Sequence, residues 1–308
     1  MRWSSPLLTT EGAVEADGID AGVAAHYGDP LREQRELLAG TGFVDLSQRD
    51  VIRVDGPDRL TWLHSLTTQH VEQLPPGRWV SMLVLSPQGH VEHAVSGYDD
   101  GTSFWAHLGP GEAPPLVAWL DSMRFMTRVD VHDMTERWAV VARTPERVEL
   151  VERTELTNVD GRPCGVWAYE ALRIVRGEPR LGSDTDHRTI PNEVGWVGTA
   201  VHLDKGCYRG QETVARVHTL GRPPRRLVLL HLDGSVDRLP GHRAVVEADG
   251  RAVGFVGSVG RHFELGPVAL ALVKRGVDVD APLVIDGIAA AQEVVVDPEV
   301  GLHVRSRP

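Results

Sequence analysis

Asp204 to Arg226 reads DKGCYRGQETVARVHTLGRPPRR and concentrates the candidate chemistry of this chain. It holds Cys207, one of two cysteines, and Lys205, one of two lysines among 32 basic residues. A thiol becomes nucleophilic by ionising, and nearby cations or a helix N-terminus favour the thiolate. Lys205 lies two residues before Cys207 and Arg209 two after; a helix opening near Gly210 would aim its free N–H groups at the same turn. From Lys205 to Arg226, the cations Lys205, Arg209, Arg216, Arg222, Arg225 and Arg226 stand against one acid, Glu212, a balance that suits a carboxylate- or phosphate-bearing ligand. Spacing alone leaves a plainer reading open: a small buried hydrophobe in a glycine turn, beside a solvated basic face. His202 and His218 flank the cysteine, so either a Cys–His nucleophile pair or two surface histidines fits. Glu193 and Trp196 offer a carboxylate and a ring to a planar ligand, or simply packing. There is no P-loop, no Gly-x-Ser-x-Gly elbow and no His-Glu-x-x-His; GFVGSVG fails the dinucleotide fingerprint and sits among strands.

Elements must position these groups. PLREQRELLAG (30–40) starts with proline, ends in glycine and puts Leu31, Gln34, Leu37 and Leu38 on one face, which predicts a helix. A strand over Val51–Val54 and a helix carrying Leu60, Leu63 and Leu66 follow. Residues 78–108 predict three strands with turns at Pro87-Gln88-Gly89 and Asp99-Asp100-Gly101. A helix with Leu116, Leu120 and Met123, two further strands in VDVHDM and RWAVVART, and a helix in GQETVARVH complete an α+β pattern. The polar, turn-rich run 180–196 is too long for an idle connector. After Arg226, six short β-type runs split by Gly, Pro and Asp predict a small barrel or sandwich.

With 308 residues, 42% hydrophobic and 24% charged, the chain is expected to be globular, with about two domains. The net charge of -11 argues against nucleic acid as a partner. No apolar stretch approaches the roughly 20 residues that span a bilayer, so no membrane association is expected. Residues 1–29 show no period and read as a mobile tail on a cytoplasmic protein. Two cysteines outside any Cys-x-x-Cys pair predict reduced thiols and no self-contained metal site.

KGCYRGQE (205–212) matches at every defined position the motif Lys-Gly-Cys-Tyr-x-Gly-Gln-Glu, and so resembles the YgfZ-type folate-binding proteins. These are relatives of the glycine-cleavage T-protein and of mitochondrial accessory factors for iron–sulfur cluster maturation. GFVDLSQRDVIRVDGPDRLTWLHSLTTQHV, LSPQGHVEH and ALRIVRGEPRLGSDTDHRTIPNEVGW are similar to other blocks of that family, so the likeness covers roughly residues 40–226. The resemblance implies a three-lobed cloverleaf, with a folate-binding α+β region of two lobes at 30–221 and a C-terminal β-barrel at 222–308. It implies tetrahydrofolate as cofactor, no stably bound metal, and a monomer whose partners are iron–sulfur assembly proteins or client enzymes. Cys207 becomes the expected reactive thiol, and Gly206 and Gly210 its structural frame. Lys205, Tyr208, Arg209, Gln211, Glu212, Glu92, Trp196 and Arg222 become the expected folate contacts. Two departures from the transferase stand out. Glu92 and His93 replace its Asp pair, and Val175 replaces a glutamate used on the pterin. They favour an accessory protein over the alternative, a one-carbon transferase of the aminomethyltransferase type.

Overall fold

The structure, a computed structural model, describes residues 3–219 and 221–300 and divides them into two compact units. The first comprises residues up to 65, 70–81 and 93–172; the second comprises 66–69, 82–92 and 173 onward. Leu220 of the expected folate-binding region and the end of the expected barrel region, 301–308, lie outside the described residues, as do residues 1 and 2 of the expected tail.

The chain order begins β1 (Val14–Glu15), β2 (Ala24–His26), α1 (Pro30–Leu38), β3 (Gly42–Asp45), β4 (Asp50–Asp55), α2 (Arg59–Leu66), β5 (Val80–Leu85), β6 (Val91–Asp99) and β7 (Ser103–Leu108). It continues with α3 (Ala113–Ser122), β8 (Asp130–Asp133), β9 (Trp138–Ala142), β10 (Val148–Glu152), β11 (Arg162–Cys164), α4 (Val166–Val175) and α5 (Gln211–Thr219). Strands order as β5-β6-β7-β4-β8 in one sheet and β10-β9-β3-β11 in another, with β11 parallel to β3. The tip of the β5–β6 hairpin, residues 82–92, belongs to the second unit.

Residues 3–28 are a correction to the expected mobile tail. Ser5 Oγ donates to buried Asp45 at 2.5 Å, Trp3 Nε1 donates to Ser47 Oγ at 3.0 Å, and the Arg153 guanidinium lies 4.1 Å over the Trp3 ring. Leu7 joins the core of Phe43, Val141 and Leu156, and Val23, Ala24 and Ala25 are buried. The anchors are far away in sequence, so no local period announces them. The face of α1 also differs from expectation. Asp29 caps it, accepting from Arg32 N at 3.0 Å, but the buried side is Glu33, Gln34 and Leu37, while Leu31 and Leu38 are exposed. Glu33 can be buried because its carboxylate accepts from the backbone N–H groups of Tyr27 (2.8 Å) and Gly165 (2.8 Å).

The six β-type runs after residue 221 do form a closed barrel: β12 (Arg225–Leu232), β13 (Val245–Ala248), β14 (Arg251–His262), β15 (Gly266–Lys274), β16 (Leu283–Ile285) and β17 (Ile288–Val294). They close in the order β12-β15-β14-β13-β16-β17. Val228, Leu230, Ala269, Ala271 and Val273 fill the interior, while Leu227, Leu229, Leu270 and Leu272 pack outward against Ile174, Val194 and Val296. Both faces of β12 and β15 are therefore buried, which is why their sequences are unbroken apolar runs. In β16 and β17, where one face meets water, burial alternates.

Candidate functional site

The Cys207 loop is built wholly within the second unit. Its first anchor is residues 66–69. Thr68 Oγ1 donates to Ala200 O at 2.7 Å, His202 N donates to Thr68 O at 2.9 Å, and Lys205 Nζ donates to Thr67 O at 2.5 Å. Lys205 is 5% exposed, with its ammonium 5.2 Å from the Tyr208 ring centroid; burial pushes its pKa down to about 8. Tyr208 is buried too, and burial pushes its hydroxyl up to about 12.

The second anchor is the hairpin tip. Gly210 has φ +80°, and a Cβ there would lie 2.5 Å from Ser86 O and 3.0 Å from Gly89 Cα. Only glycine allows this approach. Arg209 then pairs with Glu92 at 3.0 Å, and α5 starts directly after the turn, with Gln211 and the exposed Glu212 in its first turn. Between the anchors, Cys207 is exposed. Gly206 differs from Gly210: a Cβ there would meet nothing within 4 Å, so the fold itself places no steric demand on that position.

The basic segment does not form an open patch. Arg222 pairs with Glu299 at 2.9 Å. Arg225 is clamped by Glu193 (2.7 and 2.8 Å) and Asp186 (2.5 and 3.1 Å). Burial raises the Asp186 carboxyl, and the hydrogen bonds from Arg225 and the Arg188 backbone outweigh it, holding the group well below the usual range. Arg226 is fully buried in the barrel wall, its Nη2 donating to Val277 O (3.0 Å) and Gln292 Oε1 (2.7 Å). Arg216 remains exposed. Glu193 has both carboxylate oxygens committed, to Arg225 and to Ile190 N, and Trp196 packs on the outer barrel cluster with Val175. The structure thus brings together Lys205, Tyr208, Arg209, Gly210 and Glu92, and uses Trp196 and Arg222 for packing and pairing elsewhere. The clamp beside a cavity of about 370 Å³, lined by His90, Asp186, Arg188, Ile190, Glu193, Pro224 and Arg225, had no local signal, because its acids and its arginine are 32 and 39 residues apart.

Residues 7–144 match the family described as the GCVT N-terminal domain. A chloroplastic protein of Arabidopsis thaliana named as a transferase is 24% identical over 309 residues, covering 82% of this chain and 70% of its own. An aminomethyltransferase of Nostoc is 25% identical, covering 79% of each chain, and one of Geobacillus kaustophilus is 26% identical, covering 89% and 91%. The glycine cleavage system aminomethyltransferase T of Bartonella henselae superposes with a TM-score of 0.80 at 16% identity, over 97% of this chain and 98% of that one. No helix among the described residues is long and apolar enough to cross a membrane. The fold over nearly the whole chain is therefore similar to that of a glycine cleavage aminomethyltransferase, and residues 7–144 match the GCVT N-terminal domain.

Proposed function

We propose that this chain is a tetrahydrofolate-binding accessory protein for iron–sulfur cluster assembly or repair, with Cys207 as its working thiol. One observation carries the reading: the thiol is exposed at the centre of a loop fixed on one side by Lys205 and on the other by Gly210 and Arg209. Such a loop holds a nucleophile or metal ligand out to a partner without collapsing onto it. A single thiolate does not hold a cluster, so a partner or small thiol supplies the remaining ligands.

The residues present fit a reduced folate in chemistry. The Glu92–Arg209 pair is 38% and 33% exposed, so it exchanges readily with solvent and ligand groups. Glu92 then accepts from the donor edge of a pterin, and Arg209 takes a glutamyl carboxylate. Gly206 leaves the backbone beside the thiol open to close approach. Val175, packed against the barrel, has no acceptor to offer. Titrating the purified protein with reduced folates while following Cys207 alkylation tests this: saturable binding that slows alkylation is expected. In cells, Cys207→Ser at equal protein level should lower iron–sulfur enzyme activity, and unchanged activity overturns the accessory role.

The names of the aminomethyltransferase relatives favour a second reading, one-carbon transfer to tetrahydrofolate with Glu92 as the acid. Turnover of an aminomethyl donor with tetrahydrofolate, lost in Glu92→Gln, decides for it; tight folate binding without turnover decides for the accessory role.

A further inference from the structure

Arg226 is the largest fully buried side chain of the described residues, and it is a cation. On β12 it has the parity of Val228 and Leu230, which fill the barrel, and it stands opposite Val273 of β15. Arg225, one residue earlier, has the opposite parity, so the acids that clamp it, Asp186 and Glu193, lie on the other side of the strand. Among the described residues Arg226 makes no ion pair. Asp278 is the acid whose field reaches it, but Asp278 is exposed and is engaged in its own turn, accepting from Asp280 N at 2.9 Å. Only Nη2 of Arg226 is satisfied, by Val277 O at 3.0 Å and Gln292 Oε1 at 2.7 Å. Nε and Nη1 are closed off from solvent and meet no acceptor among the described residues. A lysine so placed would shed its proton. A guanidinium stays charged even where burial lowers its pKa, as burial does here. A buried charge needs a counter-charge as well as hydrogen bonds. A water molecule supplies the second and not the first; an anion supplies both.

We propose that a small monovalent anion of the halide class binds inside the barrel, accepting from the unpaired N–H groups of Arg226. The surroundings select its size and charge. The side chains of Val228, Val273 and Val277 offer no donors, so a phosphate or sulfate would bury oxygens with no partners there. One negative charge balances one guanidinium. The anion also bears on the connection from β15 to β16, residues 275–282, which is pinned at this point. Gln292 Nε2 donates to Asp278 O at 2.8 Å and Ala281 O at 3.4 Å, and Arg226 holds Val277 O. A balanced guanidinium has no drive to swing out to water, so the anion keeps that connection closed against the barrel.

Two measurements on the whole chain test it. Crystals soaked in sodium bromide should show an anomalous peak within hydrogen-bond distance of Arg226 Nε or Nη1. In solution, replacing gluconate by chloride at constant ionic strength should raise the urea midpoint saturably and slow amide exchange in the β15–β16 connection. Arg226→Met keeps most of the volume, removes the charge, and should lose both solution responses. If that variant does not fold, the bromide peak and the saturable midpoint shift of the wild type decide together. A water at Arg226 with no anomalous peak overturns the proposal, and so does an equal chloride response in Arg226→Met. A bromide peak without any chloride-dependent shift marks an adventitious ion only, and overturns it too.

Discussion

Cys164 and Cys207 sit in regions that treat a thiol in opposite ways. Cys164 is on β11 at 1% exposure, with its Sγ against Arg162 O at 3.6 Å. Burial first, and then the carboxylates of Glu33 and Glu36, push it up to about 12. Cys207 stands on an exposed loop whose buried neighbours, Lys205 and Tyr208, turn inward. The difference lies in the supporting shell. The first thiol is buried where β11 pairs with β3, beside Gly42 of that strand and Glu36 of α1. The second is held by residues on either side of it, so rigidity is obtained without cover.

Alkylation should separate the two most strongly. At pH 8 a thiol that titrates near 12 is thiolate in only about one part in 10⁴. Cys207, exposed where Cys164 is buried, should therefore react with iodoacetamide far faster than Cys164, as read by peptide mass spectrometry; comparable rates break the comparison. Glycine substitutions should sharpen it next. Gly210→Ala meets both a left-handed backbone and Ser86 O, and should cost about 2–4 kcal/mol in urea unfolding. Gly206→Ala should cost less than about 0.5 kcal/mol and weaken folate binding instead. A cost at 206 equal to that at 210 would make Gly206 part of the frame. Smaller again, Cys164→Ser should lose about 1–3 kcal/mol through a poorly satisfied buried hydroxyl, and Cys207→Ser almost nothing. The smallest effect is in pH. Lys205 titrates near 8 when folded against 10.5 when free, so between these values the unfolded chain binds more protons. Stability should rise with pH across that window, and Lys205→Met should remove the rise from the urea midpoints.

How much of this was visible in the chain follows from distance along it. The barrel strands were legible because β12 and β15 are apolar on both faces and turn residues separate every run. The motif was legible because residues 205–212 are contiguous. The fate of the basic segment was not, since Arg209, Arg222 and Arg225 find their acids 117, 77 and 32 residues away. The face of α1 was misjudged because a glutamate satisfied by backbone N–H groups packs as well as a leucine. The packing of residues 3–28 was missed for the same reason as the ion pairs, its partners lying 40 and 44 positions on.

The threading of residues 66–69 and 82–92 into the second unit bears on how the protein is born. Thr67 leaves the ribosome 138 residues before Lys205, and Glu92 leaves 117 residues before Arg209. At about 5–20 residues per second, that is a wait of roughly 6–28 s. Until residue 173 is made, the uncharged run Met82-Leu83-Val84-Leu85, each residue at 1% exposure in the finished protein, has none of its cover from residues 173 onward. The nascent chain therefore carries a β-prone apolar segment waiting for C-terminal residues not yet made, the condition under which chaperone binding competes with aggregation.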